Sequence, residues 1–310
     1  MIQKIREEFR QGIINKPQFI DAMYIQHQSL FEYAALLQTV DIASIEIRND
    51  GVLFSTRNDG IKFFCKVADK RTAPFEILNF REYESADAGL LYKLINNGDT
   101  IFDIGANIGW YSMVLSKKFP LSFIHSFEPL PDTYASLVEN ISLNDGGKII
   151  VNNFGFSNEN KILKFYALPY TSVSNSSQNI SDDAGAIEIA CKVVTLDSYV
   201  FEKSIKIDII KCDVEGAELL VYQGGIQTIE RDQPIIFTEM LRKWSAKFGY
   251  HPNDIIAFFT MQGYQCFINN GNHQLSIIKE VIESTINTNF FFLHPEKHAA
   301  ILSRYVDSKL

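Results

Sequence analysis

The residues whose spacing suggests chemistry begin in IFDIGANIGWYS, positions 101–112. Asp103 closes an apolar run, Gly105 permits a turn that a side chain would obstruct, and Gly109 lets the following helix pack closely. Such a loop cradles a nucleotide through its backbone N–H groups. It is not the dinucleotide pattern GxGxxG. Ala106 and Asn107 occupy the stretch where that pattern continues and where a pyrophosphate needs close backbone approach. Hydride transfer is thereby disfavoured, and the absence of GxxxxGK[ST] argues against ATP-driven chemistry. Glu128 lies 25 positions after Asp103, in HSFEPLP. At a strand end it can accept hydrogen bonds from ribose hydroxyls; the alternative is a charge that suits the N-terminus of the next helix. More acids follow: Asp213, Glu215 and Glu218 in KCDVEGAE, and Glu239 in PIIFTE. Four carboxylates at neighbouring strand ends exceed what a simple sugar contact requires, and they include candidates for a general base. Against that, Glu215 and Glu218 also suit a helix start, with Lys211 neutralising one of them.

These groups need elements to position them. From about residue 84 apolar strands alternate with helical segments. Strands are expected over 100–104, 122–127, 148–153, 207–212, 234–239, 263–268 and 289–293, with helices over 84–95, 108–117, 132–143, 217–230 and 252–262. A hairpin is expected near 161–167, and polar TSVSNSSQNISDDAG, 171–185, reads as a loop. Strands alternating with helices mean parallel crossovers and a doubly wound α/β sheet, whose ligands bind at the carboxyl ends of the strands. Residues 1–40 carry apolar positions at helical spacing. Two copies of RNDG, at 48–51 and 57–60, then punctuate β-rich runs and predict a short meander whose turns use positive φ. The chain therefore divides into an N-terminal accessory region, 1–80, without recognisable chemistry of its own, and a second domain, 81–310.

Composition bounds the partners. The chain has 310 residues, 46% hydrophobic and 21% charged, with 29 basic against 37 acidic side chains. A net charge of −8 is the wrong sign for a polyanion partner, so nucleic acid is disfavoured. No apolar run approaches the roughly 18 residues of a membrane span, and MIQKIREEFRQG lacks the apolar centre of a signal peptide. Four dispersed cysteines without a CxxC fit reduced thiols in a cytoplasmic protein. His125, His251, His273 and His294 share no ligand spacing, so no metal site is expected from them.

DIGANIGWY at 103–111, FEP at 127–129, TLDSY at 195–199, IDIIKCDVEGAELLVYQGG at 207–225, PIIFTE at 234–239 and NFFFL at 289–293, with EYES at 82–85 ahead of the first core strand, resemble the FkbM family of S-adenosylmethionine-dependent methyltransferases. The resemblance covers roughly residues 80–295. It implies a Rossmann-like methyltransferase sheet and methyl transfer from S-adenosylmethionine to a hydroxyl of a sugar, glycan or secondary metabolite. On that basis Glu84, Asp103, Gly105, Asn107, Gly109, Glu128 and Asp213 are expected to bind the cofactor. Phe127 or Pro129 would cover one adenine face, and Phe154 or Phe156, with Ser157, the other; such aromatics also serve as core. The base is expected among Glu215, Glu218 and Asp213, with Glu215 favoured; His251 is a further candidate if it enters the cleft. Aromatics Trp110, Tyr111, Trp244, Phe248 and Tyr250 could stack on a sugar ring. The resemblance requires no metal. Two other readings stand beside this one: a catalytically silent binding module of the same fold, and a divalent-metal-dependent small-molecule O-methyltransferase. A DPPY-like run, which a nucleic-acid methyltransferase would need, is replaced by DVEG. Residues 1–80 lie outside the resemblance and leave room for altered substrate choice or a homo-oligomer.

Overall fold

The computed structural model describes residues 1–66, 69–145, 147–168, 171–178 and 185–306. Helices α1 (Ile2–Arg10) and α2 (Lys16–Leu36) come first. Asn15 begins α2 with reciprocal bonds: its side chain accepts the Gln18 N–H at 3.0 Å, and Gln18 accepts the Asn15 N–H at 2.9 Å. Phe9 stacks on Phe19 at 4.4 Å, but neither helix contains a buried residue. Strands β1 (Ile42–Ile47), β2 (Val52–Thr56) and β3 (Lys62–Cys65) form the antiparallel meander, with one RNDG in each turn. Only the second turn uses positive φ, at Gly60 (+62°); in the first, the Arg48 N–H donates to the Gly51 carbonyl and no residue needs it. Next come α3 (Ala73–Phe80), for which the sequence offered no periodic signal, and α4 (Ser85–Leu94).

The central sheet grows from β4 (Thr100–Ile104), β5 (Phe123–Phe127) and β6 (Lys148–Asn152), linked by α5 (Trp110–Lys118) and α6 (Pro131–Ser142). Strands β7 (Gly155–Phe156), β8 (Lys161–Leu168), β9 (Thr171–Ser176) and β10 (Ile187–Val194) leave it to build a small sheet in the order β7-β10-β8-β9. The chain returns through α7 (Leu196–Lys203), β11 (Ile209–Cys212), α8 (Glu218–Gln223), α9 (Ile226–Asp232), β12 (Ile235–Glu239), α10 (Arg242–Ser245) and α11 (Pro252–Met261). Strands β13 (Gln265–Asn269), β14 (Leu275–Ile277) and β15 (Asn289–Leu293), then α12 (Ala299–Tyr305), complete it. The large sheet runs β14-β13-β15-β12-β11-β4-β5-β6, with β4, β5, β6, β11 and β12 parallel. Chain order reverses between β4 and β11, the switch point where doubly wound sheets bind ligands. Register brings the strand ends together there: Asp103 lies opposite Lys211, and Ile104 sits between Cys212 and Phe127.

Three expectations change. The late strand β15 is antiparallel to both neighbours, so the sheet is mixed at that edge. The expected helix 217–230 is two helices. Its break falls at Gly224 and Gly225, where a Cβ on Gly224 would lie 2.1 Å from the Ser157 carbonyl oxygen. The expected loop at 171–185 begins as strand β9, at the edge of the small sheet; residues 179–184 lie outside the described residues. Alternate residues of each central strand feed opposite faces. Ile101, Ile209 and Phe237 join Ile42, Phe54 and Phe63 of the meander and α3–α5 in one core, while Phe102, Ile210 and Phe292 join α7–α9 and α11 in the other. Among the described residues no helix is long and apolar enough to cross a membrane.

Candidate active site

A cleft opens at the carboxyl ends of β4, β5 and β11, enclosing about 1140 Å³ free of protein atoms and partly open to solvent. Its floor is the glycine loop. Gly105 has φ +75°, and a Cβ there would sit 1.8 Å from the Asp213 carbonyl oxygen, so only glycine lets the two strand ends meet. Gly105 and Ala106 donate their N–H groups to the Phe127 carbonyl at 3.1 and 3.0 Å. Gly109 has φ +97°, and a Cβ there would meet Leu137 of α6 at 2.7 Å. Glu128 ties this loop to the next: Oε2 accepts the Asn107 N–H at 3.1 Å and Oε1 the Leu130 N–H at 3.0 Å. Burial outweighs those bonds and pushes its carboxyl up to about 7. Each oxygen retains a lone pair for a hydroxyl donor.

Beneath the floor lies a buried charge network. Lys211 Nζ is 3.2 Å from Asp103 Oδ1, donates to the Gly105 carbonyl at 3.0 Å, and stands 4.0 Å from Asp213 Oδ2. Burial opposes its charge, but Asp103, Asp213 and Glu84 together hold its pKa above the ordinary lysine value. Asp103 Oδ2 also accepts the Ser112 hydroxyl at 2.6 Å. Asp103 is fully buried and lies outside the cleft lining; it anchors Lys211. Glu84 likewise stands behind the lining, at the start of α4 with φ +45°, where it accepts the Tyr111 hydroxyl. Burial raises its carboxyl against that bond.

The DVEG strand end supplies the opposite wall. Asp213 and Glu215 both line the cleft. Glu215 takes a left-handed backbone, φ +55°, beside Gly216 at +99°. Backbone strain of this kind gathers at functional sites, and Asn107 (+48°) and Glu84 share it. The expectation for Glu218 changes: its side chain is buried and off the cleft. Oε1 accepts the Val214 and Gly216 N–H groups at 3.0 and 3.1 Å, and Oε2 the Tyr250 hydroxyl at 3.3 Å. It fastens the loop that presents Glu215, and burial pushes it up to about 7. Tyr250 also donates to the Gly216 carbonyl at 2.8 Å. Burial and the neighbouring acids, Asp213 first, drive Glu239 well above the ordinary carboxylate range. His251 is a helix cap: its Nδ1 accepts the Asn253 N–H at 3.2 Å, outside the cleft lining.

Of the expected adenine contacts, Phe127, Pro129, Phe156 and Ser157 line the cleft and Phe154 does not. Phe156 also packs on Phe127 at 4.6 Å, so it serves cleft and core together. Leu163 and Phe165 of β8 and Val193 of β10 extend this wall; their period-two alternation was the available signal. The small sheet is fastened to the other wall by Ser176, whose hydroxyl donates to the Glu215 carbonyl at 3.0 Å. Of the expected ring-stacking aromatics, Trp110 and Tyr111 line the cleft, while Trp244, Phe248 and Tyr250 do not. Unforeseen are Arg71, Thr72, Ala73 and Tyr83, which border the cleft from the N-terminal side.

A parallel sheet with this switch point, a glycine loop after one strand and an acid closing the next defines a Rossmann-like methyltransferase fold. The sequence pattern of the methyltransferase FkbM domain matches residues 103–266, just over half the chain, and the chain belongs to that family. It is 32% identical over 142 residues to the hexuronic acid methyltransferase AglP of Haloferax volcanii, covering 46% of this chain and 56% of that protein. It is 30% identical over 153 residues to the methyltransferase sdnD of Sordaria araneosa, covering 40% of this chain and 59% of that one. The chain thus spans a little over half the length of these relatives. An FkbM methyltransferase structure from Methylobacillus flagellatus aligns with TM-score 0.41 and 15% identity over 64% of this chain and 44% of that one.

Proposed function

We propose that this protein transfers a methyl group from S-adenosylmethionine to a hydroxyl of a sugar, glycan or related metabolite. One observation carries the reading: a single cleft has the glycine loop and Glu128 on its floor, an aromatic wall at one end, and Asp213 and Glu215 at the other. The cofactor fits this chemistry. The glycine loop forms the cleft floor, Glu128 has lone pairs for the ribose hydroxyls, and Phe156 and Pro129 offer faces to the adenine. A relative whose name states a hexuronic acid acceptor supports a sugar substrate.

The bound cofactor supplies an electrophilic methyl group on a sulfonium. The chain's residues hold the acceptor oxygen in line with it and keep water out. Glu215 acts as the base: as the new C–O bond forms, its carboxylate takes the hydroxyl proton and becomes a carboxylic acid. Glu218, Tyr250 and Ser176 hold the Glu215 loop in place, and Asp213, restrained by Lys211, lies beside it. Incubation with methyl-labelled cofactor and a panel of neutral and acidic sugars tests the reading. Label should enter acceptor as a base-stable ether, in EDTA as well as without it. Label transfer only with added Mg²⁺ would favour the metal-dependent reading. Cofactor binding with no transfer to any acceptor would favour a silent module.

A further inference from the structure

We propose that Arg71 and Thr72, at the rim of the cleft, form an anion subsite that recognises a carboxylate or phosphate group carried by the methyl acceptor; the inference rests on the methyl-transfer reading above. Among the described residues lining the cleft, the cationic side chains are Arg71 and Lys211. Lys211 is buried and already held between Asp103 and Asp213. Arg71 differs: its side chain is 67% exposed at the rim. Its backbone N–H donates to Asp69 Oδ1 at 2.9 Å, and its Nε to Glu76 Oε1 at 2.6 Å. Glu76 belongs to α3 and its side chain is 15% exposed, so the guanidinium is steered from behind. The Nη1 and Nη2 edge carries no hydrogen bond to a described residue. That edge is the planar fork that binds two oxygens of a carboxylate or phosphate.

A second, independent observation points to the same place. Thr72 is 4% exposed and lines the cleft, and its buried Oγ1 has no partner among the described residues. It begins α3, yet its hydroxyl makes no capping bond to that helix. Trp110 is 9% exposed, borders the same space, and its Nε1–H is equally without a partner. Buried polar groups are ordinarily satisfied, and two orphans lining the same cleft as the Arg71 guanidinium edge mark where ligand oxygens belong. All three groups can donate. Glu76 offsets part of the positive charge, so recognition rests on directed donors more than on net field. Asp213 and Glu215, which line the same cleft, repel an anion placed beside them and favour one held at Arg71. The rim position assigns the anion to the entering acceptor; Glu128 and the glycine loop hold the floor.

The test uses the full chain and inorganic phosphate as probe, by isothermal titration with and without saturating S-adenosylhomocysteine. Phosphate should bind wild type at one site in both conditions. Arg71→Gln should weaken it about tenfold or more and Thr72→Val severalfold, as expected for lost charge-assisted and neutral donors. S-adenosylhomocysteine affinity should stay within about twofold in both variants, each checked for an unchanged melting temperature. If Arg71→Gln fails to fold, Thr72→Val alone scores the subsite. Absent phosphate binding by wild type, or equal binding by the variants, overturns the subsite. A parallel loss of S-adenosylhomocysteine affinity also overturns it, since the donors would then serve the cofactor's own carboxylate. Failure of wild type to bind S-adenosylhomocysteine contradicts the methyl-transfer reading instead, and phosphate titration of the free protein still scores the subsite.

Discussion

Glu215 and Glu218 are three residues apart and chemically alike, yet their surroundings assign them different work. Glu218 already accepts two backbone N–H groups and a tyrosine hydroxyl, whereas Glu215 borders the cleft. Glu215→Gln should lower turnover by about 10²–10⁴-fold with little change in cofactor affinity, the usual contribution of a general base. Glu218→Gln keeps an acceptor oxygen for the loop and should leave turnover within about tenfold of wild type. Steady-state kinetics on the two variants decides between them, and equal losses would count against this division. The sequence spacing made both acids visible, but it could not tell a group that fastens a loop from one the loop presents. The buried acids also set a pH dependence. Glu128 and Glu218 titrate near 7 in the folded chain, above their unfolded value, so folding takes up protons and the cofactor-free protein gains stability as pH falls through about 7. Below about 6.5 the gain is opposed, because burial lowers His125 and His298 to about 4 and the unfolded chain then binds the protons. Thermal melts should give a higher midpoint near pH 6.5 than near pH 8; the reverse order would contradict the burial of these carboxylates.

At the scale of elements, the contact between the glycine loop and the DVEG strand end governs the site. Gly105→Ala must place a methyl group against the Asp213 carbonyl in a backbone region that costs an L residue about 1–3 kcal/mol. Both strand ends should shift, lowering the melting temperature and weakening S-adenosylhomocysteine at least about tenfold. A variant with wild-type affinity and stability would show that the close approach is not required. This loop was legible because a strand, two glycines and a helix follow one another without interruption. The small sheet was only half legible. Leu163 and Phe165 alternate as a strand should, whereas β9 is polar and carries no apolar face to announce it. The break between α8 and α9 falls at Gly224 and Gly225, and the contact that requires glycine at 224, the Ser157 carbonyl, is remote in sequence.

On the scale of the whole molecule, the meander shares a core with the face of the large sheet that carries α5. Phe63 is fully buried and stacks on Trp110 at 5.5 Å, which ties residues before 80 to the cleft wall. Phe63→Ala should cost about 3–5 kcal/mol, the range for a buried Phe truncation, and should change the emission of Trp110. A loss below about 1 kcal/mol in chemical denaturation would contradict that shared core. None of this was legible, because alternation shows that β3 has an apolar face but not what covers it. That the sheet is doubly wound with parallel crossovers, by contrast, followed from the alternation of strands and helices, apart from the reversed β15. The account as a whole stands on Glu128 holding the ribose of a cofactor in the cleft, and S-adenosylhomocysteine titration of wild type and Glu128→Ala tests it most directly. The ribose hydroxyls favour the ionised carboxylate, so wild-type binding should release protons and tighten as pH rises from about 6 to 8. Folded Glu128→Ala should bind about 1.5–3 kcal/mol more weakly, the range for hydrogen bonds to a charged group, with a flat pH response. Equal affinity and the same pH response in the two proteins would contradict the account.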